Sequence, residues 1–292
     1  TPIQIPLIAA RQLPSSDLPL PVAPQEWHMR QSIEYELTNN WSVLDYASRN
    51  RETLLYNSYL MGRNSIERGS RDSWTVTPKR VAALSSAIAA RTADPKLYNS
   101  VLRDPNARDP RGYIIPADQA DFATATRFVN ALLKNGVTVM QAINEFEVLG
   151  RKYPRNSYII KTAQAFRPHI LDMFEPQDHP NDFAYPGGPP IPPYDLTGWT
   201  LARQMGVEFT RVLDDFGGPF VKVPGYAAPP TGSVQNVAKP AGYQIDHRSN
   251  NSFTLVNRLL KAGHAVYWMA TDGAIWVPGT AALPVIQAAA GP

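Results

Sequence analysis

The sequence predicts an α/β fold, on the strength of a long amphipathic helical pattern near the N-terminus and two similar strand–helix–strand stretches further on. GYIIPADQADFATATRFVNALLKNGVTV begins at Gly112 and GYQIDHRSNNSFTLVNRLLKAGHAV at Gly242. Val129-Asn130, Leu132-Leu133-Lys134 and Gly136 of the first match Val256-Asn257, Leu259-Leu260-Lys261 and Gly263 of the second. Proline is a third signal. The chain has 28 in 292 residues, about twice the usual share of roughly 5%. They alternate with aromatic and apolar residues, unlike a disordered composition, so long ordered loops are expected between the elements.

Residues 1–24 set short apolar runs between prolines and read as extended chain. A long helix is expected over 26–66, where Ile33, Leu37, Trp41, Leu44, Ala47, Leu55 and Tyr59 recur at spacings of three and four and fall on one stripe. Thr77 followed by Pro78 marks the start of a second helix over 78–91, and Asp94-Pro95 that of a short third one. Each repeat reads as a strand, an Asp/Asn/Ser-rich turn, a helix closed by a glycine, and a second strand, with Val129, Leu132 and Leu133 of one helix and Val256, Leu259 and Leu260 of the other expected to face their sheets. A connection of that length predicts a parallel strand pair with a right-handed crossover. Residues 145–149 and 157–161 read as further strands, 274–277 as a strand and 281–290 as a terminal helix. The expected division is 1–76, 77–176, 177–238 and 239–292, the third part being a proline-rich loop with a short helix and linker.

Composition narrows the function classes. A formal charge of +3 points to neither a nucleic-acid nor a membrane partner. The basic stretch over 49–91 reads as a solvated helix face. No apolar run approaches the ~20 residues of a membrane span. With no cysteine, disulfides and thiol catalysis are excluded, which fits an exported bacterial protein. Opening on Thr1-Pro2 without methionine or signal peptide, the sequence is expected to be a processed product or an excised piece.

No nucleophile elbow, phosphate loop or dinucleotide fingerprint is present. The residue types that bind zinc occur as His169/Asp172 and His179/Asp182, with Asp178 beside them, but Asp-rich turns and a helix-surface histidine are common and explain them better, and no metal site is expected. Polar residues collect at the two strand-to-helix turns: Asp118 and Asp121, then Asp246, His247, Asn250 and Asn251. Such strand ends bind ligands in many α/β sheets, and they are also where helices are capped. In the proline-rich loop, Tyr185, Tyr194, Asp195 and Trp199 form a ligand-facing candidate, leading into a helix expected to begin near Asp195 or Thr197.

The segment MFEPQDHPNDFAYPGGPPIPPYDLTGWTLARQMG over 173–206 resembles a stretch downstream of the catalytic domain in large bacterial zinc carboxypeptidases of the carboxypeptidase A-like class. So do Gln25-Glu26-Trp27-His28, Arg30-Gln31-Ser32-Ile33, NSIERGSRD over 64–72, residues 75–80, 111–117, the first repeat, 163–175 and 211–220, so nearly the whole chain is similar to that region, and the resemblance implies that residues 1–76 are the end of a peptidase-type domain. The resemblance implies an upstream domain that holds zinc through His-x-x-Glu and a distant His, with a later Glu as general base. None of these has a matching position here, so no catalytic or metal residue is carried over. A non-catalytic accessory role is implied, with the parent's catalytic domain as partner and no cofactor in this chain. A self-assembling structural module and a small-ligand-binding α/β domain are the alternatives.

Overall fold

The computed structural model describes residues 2–4, 14, 16, 19–20, 22–88, 94–178, 180, 182–192, 199–235 and 238–290. The fold is mixed α/β and falls into two compact units, Thr1–Leu60 and Met61–Pro292.

In the first unit β1 (Ile3–Gln4) pairs antiparallel with β2 (Glu26–Trp27). Helix α1 (Met29–Arg49) follows, its start closed by Gln31, whose Oε1 accepts the His28 N–H at 2.8 Å. Helix α2 (Arg51–Gly69) resumes after a single residue. The one long helix expected over 26–66 is therefore two. The break falls at Asn50, whose side chain donates to the Tyr46 carbonyl at 2.9 Å, sharing that acceptor with its own N–H at 3.0 Å. The predicted apolar stripe is helical but uncovered: Ile33, Leu37, Trp41, Leu44, Leu55 and Tyr59 are all exposed, and no residue of α1 is buried.

The second unit carries α3 (Pro78–Ala87) and α4 (Pro95–Leu102), each begun as the sequence predicts. Thr77 accepts the Arg80 N–H at 3.4 Å and Asp94 that of Lys96 at 2.9 Å. The expected end of α3 at Arg91 is corrected to Ala87; residues 89–93 lie outside the described ones. At Gly69 a β-carbon would sit 2.3 Å from the Thr162 carbonyl oxygen, so only glycine lets α2 end against that backbone.

The first repeat builds β3 (Gly112–Ile115), α5 (Phe122–Lys134), β4 (Met140–Ala142), the hairpin of β5 (Phe146–Val148) and β6 (Arg151–Tyr153), and β7 (Tyr158–Lys161). It continues into α6 (Arg167–Phe174), α7 (Leu201–Gln204), β8 (Thr210–Val212) and β9 (Phe220–Lys222). The sheet order is β8-β3-β7-β4-β9, every neighbour antiparallel. On one face Tyr113 and Ile115 pack with Phe128, Val129 and Leu132 of α5 and Ile170 and Phe174 of α6. On the other, Ile114, Ile159 and Val212 pack beneath Phe146, Val148 and Tyr153 of the hairpin.

The second repeat builds β10 (Gly242–Ile245), α8 (Asn250–Lys261), β11 (Tyr267–Trp268), β12 (Ile275–Pro278) and α9 (Leu283–Ala290), with sheet order β10-β12-β11. Both repeats correct the expected parallel pair. The strands flanking each helix are parallel to one another but not adjacent, because β7 or β12 lies between them, antiparallel to both. The central place goes to the strand whose apolar run suits burial on two faces: Tyr158-Ile159-Ile160 in one sheet, Ile275-Trp276-Val277 in the other. Gln141 in β4 would be costly there. The registers correspond. Ile114, Ile159 and Met140 lie side by side in one sheet, and Gln244, Trp276 and Tyr267 in the other.

The helix ends match as well. Gly136 and Gly263 have φ of 86° and 81°. The N–H groups of Gly136 and Val137 bond Leu133 and Leu132, as those of Gly263 and His264 bond Leu260 and Leu259. The expectation that Leu133 and Leu260 face their sheets with Leu132 and Leu259 needs correction. Leu132 and Leu259 are fully buried, Leu133 is half-buried at the core margin, and Leu260 is 55% exposed. A residue one step from the central position looks sideways, and its burial depends on a flanking layer that the second repeat lacks among the described residues.

Candidate functional site: a cleft along an unpaired strand edge

Strand β3 is hydrogen-bonded on both sides, by β7 and β8, whereas among the described residues its counterpart β10 pairs with β12 and has no strand on its other side. Along the free edge of β10 opens a cleft of about 1180 Å³, lined by residues 242–248, by residues 232–235 of the incoming chain, and by Leu255, Trp276 and Ile286. The backbone N–H and C=O groups of such an edge are free to pair with another strand.

The polar groups around the cleft are engaged with one another. Arg248 forks onto both carboxylate oxygens of Asp246 at 2.7–3.2 Å. These hydrogen bonds from Arg248 hold the Asp246 carboxyl down at about 2. Asp272 accepts from Gln244 at 3.2 Å and from the Ala274 N–H at 3.0 Å. The His247 ring stands edge-on to Trp268, at 6.4 Å between centroids. The lining thus offers backbone, aliphatic and aromatic surface for binding, and its carboxylates already have partners.

The strand-to-helix turns of the two repeats meet. Asp121 caps α5, accepting from the Thr124 N–H at 3.1 Å and the Thr124 hydroxyl at 2.7 Å. It also accepts the Asn250 N–H of α8 at 3.0 Å. Burial works against the Asp121 carboxylate, yet the bonds from Asn250, Thr124 and Ser249 outweigh it and hold its carboxyl below the usual range. Asn250 also reaches Thr124 at 3.1 Å, and Arg127 reaches Asn251 at 2.6 Å. The polar turns therefore serve capping and docking between repeats; Asp118 stays exposed and takes no part.

The zinc-type residues of the loop do not converge. Among the described residues, no three His, Asp or Glu side chains stand close enough to hold a metal ion. His169 on α6 is half-buried with its Nε2 shielded and unbonded. Its neighbour Asp172 has its carboxyl pushed up by desolvation, against a smaller opposing pull from His169. Asp178 is half-buried and Asp182 exposed; His179 lies outside the described residues.

Of the ligand-facing candidate, Tyr194 and Asp195 lie outside the described residues. Tyr185 is exposed and Trp199 is 40% exposed. Tyr185 lies over the Pro186-Gly187-Gly188 turn, its ring 2.8 Å from where a Gly188 β-carbon would be. The Gly188 N–H returns to the Tyr185 carbonyl at 2.8 Å, with Gly187 at φ 77°. The helix expected near Asp195 or Thr197 begins instead at Leu201, after Thr200 at φ 51°.

A second cleft of about 530 Å³ escaped the sequence reading. Glu175 lines it, accepting the Tyr113 hydroxyl at 2.7 Å and Arg211 Nε at 2.9 Å, with Arg151 and Arg203 at the rim. Burial, reinforced by Glu175, pushes the Tyr113 phenol well above its ordinary range, so it stays protonated and donates. Glu175 and Arg211 are 36 residues apart, and no local spacing in the sequence marks them as a pair. Comparison of the chain with protein-family models, curated proteins and solved structures returns no match.

Proposed function

We propose that this chain is a non-catalytic accessory region of an exported zinc metallocarboxypeptidase-like protein, docking onto the parent's catalytic domain and shaping access to its cleft. One observation carries the reading. The apolar stripe Ile33, Leu37, Trp41 and Leu44 of α1 is more than half exposed at every position, within the part of the chain, about 1–76, that the resemblance assigns to the end of a peptidase-type domain. An exposed contiguous apolar face of this kind belongs against a partner. The zinc that the family employs would reside in that partner, and the residues of this chain supply surface.

Incubating the purified chain with zinc and peptides bearing free C-termini tests the non-catalytic half, and no hydrolysis is expected. Chelator-sensitive turnover at a defined C-terminal bond would sink it. Reading the coding sequence ahead of Thr1 tests the origin: a His-x-x-Glu, then a His, then a Glu shortly before Thr1 is expected. A coding sequence without them removes the peptidase reading and leaves the self-assembling module, which light scattering across a concentration range then examines.

A further inference from the structure

The two repeats differ in what covers the helix and the outer strand. In the first, β9 runs antiparallel to β4, with Ala142 opposite Phe220 and Met140 opposite Lys222. The chain continues through Val223 and the Pro224-Gly225 turn to Ala227, and both Val223 and Ala227 are buried. There Asn130 of α5 grips the backbone twice. Its Nδ2 donates to the Ala227 carbonyl at 3.0 Å and its Oδ1 accepts the Ala227 N–H at 2.7 Å. Thr126, Asn130 and Leu133 form one helical stripe, buried or half-buried throughout.

In the second repeat the same stripe reads Phe253, Asn257 and Leu260. Phe253 is 47% and Leu260 55% exposed. Asn257 is exposed, and no described residue bonds its side chain. Strand β11, the counterpart of β4, has no partner on its outer edge among the described residues. It carries Trp268, 61% exposed, its ring 6.3 Å from that of Phe253. The clamp residue, the apolar stripe and the open strand edge are all present, while the segment they hold in the first repeat is not among the described residues.

We infer that the outer edge of β11 and the Phe253–Asn257–Leu260 stripe accept an extended peptide strand with the chemistry of residues 219–227. Two or three residues pair antiparallel with β11, a Pro-Gly turn follows, and Asn257 clamps the peptide unit of a small residue beyond it. Strand addition to an open edge supplies backbone hydrogen bonds, and the apolar stripe supplies selectivity. The β9 of a second copy is not available for this, being bonded to its own β4. The inference rests on the comparison of the repeats and not on the peptidase reading.

The test titrates the full chain with ten-residue peptides built on 219–228, their apolar positions varied over Val, Ile, Leu and Phe. Tryptophan emission and hydrogen exchange over 266–269 are the readouts. At least one peptide should bind saturably, protect those amides, and lose affinity at least tenfold with Asn257→Ala. That variant changes an exposed position, and an unaltered circular dichroism spectrum verifies its fold. N-methylation of the peptide at the positions of Val221 and Val223 should abolish binding. The inference is overturned if no peptide of the set binds, or if Asn257→Ala binds equally well. It is also overturned if the chain dimerises and Phe253→Asp abolishes the dimer, since a second copy would then cover the surface.

Discussion

The Asp121 carboxylate accepts the Asn250 N–H at 3.0 Å, so one side chain caps its own helix and the first turn of the other repeat's helix. Helix α8 has no side-chain cap from Ser249, and Asp121 takes that role from the neighbouring repeat. Both helix N-termini carry partial positive charge, which a single carboxylate here answers twice. Asp121→Ala should therefore cost more than the roughly 1 kcal/mol of an ordinary lost cap. Urea unfolding should give about 2 kcal/mol or more, with Asn250→Pro and Asp121→Ala non-additive in a double-mutant cycle. A loss near 0.5 kcal/mol would show that the α8 contact contributes nothing.

A buried ion pair should prove more sensitive. Arg167 meets Asp109 at 2.7 Å, both side chains being less than a tenth exposed. Asp109 also accepts from the Thr75 N–H and hydroxyl at 2.9 Å. Asp109→Ala strands the Arg167 charge and leaves the Thr75 N–H unpaired, for about 3–5 kcal/mol by chemical denaturation. The paired change Asp109→Leu with Arg167→Met should cost much less than that. Equal losses in the two would mean that stranded charge is not the cause.

Leu149 and Gly150 form the two-residue turn between β5 and β6, at φ of 56° and 73°. Hairpin turns of this kind call for Asn-Gly, because a left-handed conformation strains a branched side chain. Leu149 is 67% exposed and packs little, so Leu149→Asn should raise stability by about 1 kcal/mol. A fall in Tm would imply that the Leu149 side chain makes a contact worth more than the strain.

Local chemistry was legible in the sequence and long-range pairing was not. Thr77, Asp94 and Asp121 announce their helices because capping needs only the next three residues, and Gly136 and Gly263 close theirs for the same reason. The insertion of β7 between β3 and β4 depends on pairings across some forty residues, visible beforehand only as the uninterrupted apolar run of 158–160. The β5–β6 hairpin lacks its usual turn signal because Leu149 stands where Asn is expected. Glu175 and Arg211 come together from positions 36 apart, and no spacing rule reaches that far. The candidate ligands His169 and Asp182 were read from local spacing, which places residues on one element but brings no third ligand to them.

The repeats supply a paired test of burial. Leu132→Ala and Leu259→Ala remove fully buried leucines and should cost about 2–5 kcal/mol each. Leu260→Ala should cost under about 0.5 kcal/mol in the free chain, as an exposed position. If a bound strand covers Leu260, the same substitution will weaken that complex while leaving the chain's own unfolding unchanged. A large loss of stability in the free chain would mean that Leu260 is already covered.

Acid should act in opposite senses at two carboxylates. Asp121 is held below its ordinary range, so its stabilising share is present above the unfolded pKa of about 4 and is lost as pH falls through the folded value. Desolvation raises Asp172, so its charged form weakens the fold at neutral pH and the penalty disappears on acidification. Asp121→Asn should thus destabilise at pH 7 and converge on the parent chain near pH 2. Asp172→Asn should stabilise at pH 7, and that advantage should fade as pH falls toward about 4 and be gone below it. Unfolding curves taken across this range separate the two effects. An Asp172→Asn variant weaker than the parent chain at pH 7 would show that the nearby His169 outweighs the desolvation.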